Sequence, residues 1–140
     1  MNFGRLGAAA LVSWLVHLAV SAFTWGTLLP DVVRQSATLL RPAAEMNVVL
    51  GYAGSLVGFF AFAYAYAKGY EGGSGAAEGL RYGVLVGLLL AAFGVSWAYV
   101  MLPLTRGFAA ALVLDCIIEM AVYGVVVGSI YRPAAIRRPR

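Results

Sequence analysis

The strongest constraint in this chain is the run from Gly107 to Tyr131. It is long and apolar enough to cross a bilayer, yet it carries Asp115 and Glu119 in its interior. One acid at the centre of a spanning helix costs roughly 2.5–3.5 kcal/mol on insertion scales. Two of them nearly cancel the gain from the Val, Ile, Leu and Met residues around them. The helix therefore inserts only if its neighbours shelter the polar face. Asp115 and Glu119 stand four residues apart, which places them on one helical face with Cβ atoms roughly 6 Å apart. Like charges so close in a low dielectric repel, and a cation would neutralise the pair.

The same run has a second face. Gly124 and Gly128 form a GxxxG step. At about 100° per residue, Gly124 lies half a turn round from Asp115. The small face and the acidic face are expected to point in opposite directions, so that one meets the interior and the other is free to meet another chain.

Four such apolar segments, each of about 20 residues or more, use up most of the chain. Of its 140 residues, 62% are hydrophobic and 11% charged, so no soluble domain of useful size remains. The expected fold is all-α: a four-helix transmembrane bundle of two antiparallel hairpins. Its helices fall at about residues 6–29, 42–68, 80–102 and 107–131, with a basic tail at 132–140. Cys116 is the one cysteine, which excludes an intrachain disulfide. The net charge of +4 gathers at the C-terminus. On a membrane protein it points to orientation and anionic lipid rather than nucleic acid. Arg132, Arg137, Arg138 and Arg140 are the residues expected to meet headgroups or a partner.

Taken in order, the first segment begins with a short basic start and an apolar run, and Val20-Ser21-Ala22 resembles a signal cleavage site. The run stays apolar past Ala22, so it is read as a retained helix. Ser13, His17, Ser21 and Thr24 form one polar stripe along it. His17 is the only histidine and lies near mid-helix, and Trp25 sits toward the far end, where interfacial aromatics belong. After Pro30, the stretch Asp31 to Arg41 reads either as a short helix lying on the membrane surface or as an irregular loop.

The second segment opens with Pro42, a residue suited to a first helical turn. Asn47, Gly51, Ser55, Gly58 and Phe62 share one face, a small-residue seam that lets another backbone approach. Tyr64, Tyr66 and Tyr70 crowd its end as an interfacial belt would. Gly69 to Gly79 lacks the GK[ST] ending of a P-loop and is read as a flexible turn. Gly83, Gly87 and Gly94 share a face of the third segment, and Pro103 ends it. The tight link through Thr105, Arg106 and Gly107 makes segments three and four an antiparallel hairpin.

Arg5, Lys68, Arg81, Arg132, Arg137, Arg138 and Arg140 fall on one side of such a layout, and Arg34, Arg41 and Arg106 on the other. The excess predicts a multi-pass protein of the cell (inner) membrane with both termini cytoplasmic. A faint internal repeat pairs Glu45-Met46 with Glu119-Met120, and Gly54-Ser55-Leu56 with Gly128-Ser129-Ile130. It would fit two hairpins in parallel orientation.

The run Tyr66-Ala67-Lys68-Gly69-Tyr70-Glu71-Gly72, followed by Glu78-Gly79-Leu80-Arg81-Tyr82-Gly83, resembles a pattern in small uncharacterised four-helix bacterial integral membrane proteins. The resemblance implies the four-helix layout and no chemistry.

Counted in from either end, His17 and Glu119 fall at one depth. Glu119 is expected to hydrogen-bond His17, with Asp115 reaching Ser21 or Thr24 and Tyr123 joining from one turn along. Such a cluster can be structural glue, a proton relay, or a cation or substrate site. No Ser-His-Asp order, HExxH motif or nucleotide fingerprint is present. No enzymatic activity, catalytic residue, bound metal or cofactor is expected. The leading expectation is a small non-catalytic subunit of a larger membrane complex, packing on partners through Gly51, Gly58, Gly83, Gly87, Gly124 and Gly128. The alternative is a homo-oligomeric proton-coupled transporter or ion-conducting protein using Asp115 and Glu119.

Overall fold

The computed structural model describes residues 1–131. Residues 132–140, with Arg132, Arg137, Arg138 and Arg140, lie outside the described residues. Among the described residues every regular element is a helix. Four are long and apolar enough to cross a membrane: α1 (Phe3–Leu28), α3 (Val48–Gly69), α4 (Gly75–Met101) and α5 (Arg106–Ile130). The short α2 (Pro30–Gln35) follows α1. At about 1.5 Å per residue each long helix exceeds the roughly 30 Å of a hydrocarbon core. The chain reads as a multi-pass membrane protein.

Side-chain caps set where the helices start. Asn2 accepts from the Arg5 amide, Asn47 from the Leu50 amide and Thr105 from the Phe108 amide. The Asn47 cap explains why α3 starts at Val48 rather than near Pro42. The stretch before it holds only two 3-10 turns, Ala37–Leu39 and Ala43–Glu45. Of the two readings of Asp31 to Arg41, a helix covers only the start, as α2, with Pro30 at its first position and Asp31 paired with Arg34. That pair is exposed and contributes little.

Helix α4 starts earlier than its hydropathy suggests, at Gly75. The Glu78 carboxylate accepts from the amides of Glu71 and Gly73 and folds the preceding loop back over the helix start. Gly72 supplies the one left-handed residue there, at φ 96°. The stretch expected to be a flexible turn over residues 69–79 is thus a short loop and the first turn of a helix.

That first turn matters for packing. Gly75, Gly79, Gly83 and Gly87, spaced by four, lie against α5 along its whole inner half. Gly75 stands opposite Gly128, Gly79 opposite Gly124, Gly83 opposite Met120 and Ala121, and Gly87 opposite Cys116 and Ile117. The numbers run in opposite senses, so the two helices are antiparallel. A Cβ added at any of these glycines would run into backbone of the facing helix. Contacts this close put glycine Cα–H groups against facing carbonyls, as in tightly packed membrane helices. The GxxxG face of α5 is therefore occupied within the chain and is not free for another one. Gly94 has open space beside it and takes no part. It lies within a π-helical turn, Ala91–Val95.

Helix α1 packs against α3 and α5. The core lies where they meet, around Leu6, Ala9, Ala10, Phe59, Phe62, Ala63, Tyr66, Tyr123 and Val127. Tyr66, at 2% exposure, belongs to this core rather than to an interfacial belt. Its hydroxyl donates to the Gly75 carbonyl, and the Tyr82 hydroxyl donates to the Phe62 carbonyl. Both bonds tie the second half of α3 to α4. The first half of α3 is different: residues Met46 to Gly54 are exposed all round. The internal repeat has no counterpart in the packing. Glu45 is exposed in a turn ahead of α3, whereas Glu119 is buried in mid-helix.

Candidate functional site

Helices α1 and α5 present one polar residue per turn to each other. His17 and Ser21 are four apart on α1, and Glu119 and Tyr123 are four apart on α5. Glu119 is 6% exposed. The Tyr123 hydroxyl donates to Glu119 Oε2 at 2.5 Å. Ser21 Oγ lies 3.0 Å from Oε2 and 3.2 Å from Oε1. His17 Nδ1 lies 3.1 Å from Ser21 Oγ and 3.2 Å from the Tyr123 hydroxyl.

A hydroxyl has one proton to give, and both hydroxyls point at the Glu119 carboxyl group as donors. In the His17 tautomer that carries its proton on Nδ1, each hydroxyl accepts from the imidazole. The order runs from the imidazole N–H through two parallel hydroxyls to one carboxylate. His17 Nδ1 is 3.8 Å from Glu119 Oε2, too far for the direct hydrogen bond expected between them. Ser21 and Tyr123 fill that gap.

Asp115 sits one turn further along α5 and does not reach Ser21 or Thr24. Ser21 is taken by Glu119, and Asp115 Oδ1 is buried with no hydrogen-bond partner. Ser21 and Tyr123, named with the acids and His17 as candidate site residues, do come together with Glu119 and His17. Cys116 does not join them, because its backbone faces Gly87 on α4. Among the described residues no group of three His, Cys, Asp or Glu side chains could hold a metal ion.

Aromatic rings wall the cluster on the α3 side. Phe59 stands 5.3 Å from the His17 ring and 5.1 Å from Tyr123, centroid to centroid. The Trp14 indole donates to Ser55 Oγ at 2.9 Å and holds α3 beside α1. Sequence patterning did not single out Phe59 or Trp14, since an apolar ring on a spanning helix carries no signal of its own. Gly75 and Gly79 were also missed, although their spacing of four toward Gly83 and Gly87 was there to be read.

Two grooves flank the cluster. One, of about 450 Å³, lies between α3 and α4 and is lined by His17, Ser55, Phe59, Phe62, Tyr82 and Met120 among others. The other, of about 460 Å³, lies between α1, α2 and α5 and includes Thr24, Asp115 and Glu119 in its lining. The hydrogen-bonded chain from His17 to Glu119 thus runs from one groove to the other.

Comparison with protein-family models, with curated proteins and with solved structures finds no match to this chain. The likeness of the Tyr66–Gly83 stretch to small bacterial four-helix proteins rests on its residues alone. The class defined by fold and site is a multi-pass helical membrane protein with a buried acid–histidine cluster.

Proposed function

We propose that this chain is a multi-pass protein of the cell membrane, folded as a four-helix bundle of two antiparallel hairpins with both termini cytoplasmic. Its role is that of a small, non-catalytic subunit or scaffold within a larger membrane assembly. The supporting observation is the bare first half of α3. Every residue from Met46 to Gly54 is exposed, and Gly51, Gly54 and Gly58 have open space beside them. Lipid solvates such a face, but small residues next to Asn47 favour a closely approaching helix over acyl chains. The partner face in this reading is α3, since Gly83, Gly87, Gly124 and Gly128 are used internally. In this role the buried cluster fixes the register of α1 on α5.

Purification from native membranes in mild detergent tests the reading. Other chains should accompany this one in fixed ratio. Gly51→Leu with Gly54→Leu should release them and leave the chain folded. A lone, monomeric chain would overturn it.

A second reading, an oligomeric proton-coupled transporter, is favoured by one observation: the cluster joins two grooves. Glu119→Gln in proteoliposomes should then abolish proton-linked flux and preserve assembly. Absence of any flux in the unaltered protein would sink this reading.

A further inference from the structure

We infer that the groove between α1, α2 and α5 is a binding site for a lipophilic organic cation, an aliphatic or aryl-alkyl ammonium with an apolar body. Binding there needs neither a partner chain nor flux, so it is independent of the role assigned above.

Size comes first. A groove of about 460 Å³ falls in the range of small-molecule sites, roughly 300–1,000 Å³. Its walls are apolar, with Val20, Leu28, Val32, Ala111 and Ile118 among them. Such walls suit a hydrophobic body and give nothing to a hydrated inorganic ion.

The polar content is as specific. The two carboxylates in the lining differ in what they already hold. Glu119 accepts from Ser21 and Tyr123. Asp115 Oδ1 is buried and accepts from nothing. A buried carboxylate oxygen calls for a donor, and a charged one for a cation. An ammonium in the groove faces the Asp115 carboxyl group, and Glu119 one turn away places a second carboxyl group beside it. A metal ion would need more ligands than the site offers, since no third His, Cys, Asp or Glu joins the two acids among the described residues.

Access fits the same class. Leu114 and Ile118, on the rim of the groove, are largely exposed on α5. In a bilayer that side opens to lipid, where lipophilic cations concentrate. The rim of α1 is a π-helical turn, Thr24–Leu28, and two of its residues, Thr24 and Leu28, line the groove. Single π-helical turns of this kind recur at functional sites.

The test uses the full chain in lipid nanodiscs and dansylcadaverine, a fluorescent primary amine. The comparator is its N-acetylated form, which keeps the body and removes the charge. The amine should bind saturably, with its emission shifted to the blue, and the acetylated form should not. Asp115→Asn should weaken binding about tenfold or more. Ala111→Phe, which fills the groove and leaves both acids in place, should abolish it. Asp31→Asn, on the exposed α2, should leave it unchanged. Equal binding of the acetylated form, undiminished binding by Ala111→Phe, or signal that never saturates would each overturn the inference. If Asp115→Asn does not fold, Ala111→Phe and the acetylated probe decide it.

Discussion

Tyr123 and Glu119, one turn apart on α5, share a hydrogen bond of 2.5 Å in the most buried part of the chain. The tyrosine is fully buried, and its hydroxyl faces the carboxylate on one side and His17 on the other. A residue of this bulk, placed against an acid in mid-span, turns an expensive side chain into part of the core.

Tyr123→Phe removes that donor and leaves Glu119 to Ser21 alone. Bonds to a charged group in a buried site contribute about 1.5–3 kcal/mol, and the variant should lose stability of about that size. Equilibrium unfolding in mixed micelles measures it. Stability within experimental error of the unaltered protein would show that the bond contributes nothing.

The glycine ladder makes a contrast between two sets of positions. Gly79→Leu or Gly124→Leu forces α4 and α5 apart, because the new side chain has only backbone to meet. Overpacking of a tight contact costs about 1–3 kcal/mol and often more, so folded protein should fall sharply. Gly94→Leu faces open space and should have no effect on the yield of monodisperse protein. A similar loss at all three positions would show that glycine content, not this interface, is what matters.

Ser13 lies fully buried in α1 with its hydroxyl unpartnered. Removing an unsatisfied polar group is neutral or stabilising. Ser13→Ala should therefore match or exceed the melting temperature of the parent, whereas Ser13→Leu should lower it by crowding α1 against its neighbours. A clear loss in Ser13→Ala would mean that the hydroxyl has a partner.

At the start of α3, Asn47 caps the Leu50 amide. Asn47→Ala should cost about 1 kcal/mol, and Asn47→Asp close to nothing. Hydrogen exchange across Val48 to Gly51 reads the difference locally. Equal protection in all three forms would remove the cap from the account.

Much of this architecture could be anticipated from residue patterns, and the reasons are specific. The four long helices follow from apolar length, and the meeting of His17, Ser21, Glu119 and Tyr123 follows from spacings of four on two helices. What could not be anticipated depends on which face meets which. Glycines at 124 and 128 announce close packing but not its partner, and the answer lay in Gly75 and Gly79, inside a stretch that reads as a turn. Asn47 looks the same on a helix face as at a helix cap. Ser21 serves Glu119 and leaves Asp115 Oδ1 without a hydrogen-bond partner, and no spacing rule contains that choice.

The central claim is that α1 shelters the acid in the middle of α5. Ser21→Ala and Glu119→Ala, made singly and together, test it through a double-mutant cycle on unfolding free energy. The account predicts a coupling of about 0.5 kcal/mol or more, since the two side chains are in contact. Effects that add within about 0.3 kcal/mol would mean that Ser21 and Glu119 do not meet, and would contradict it.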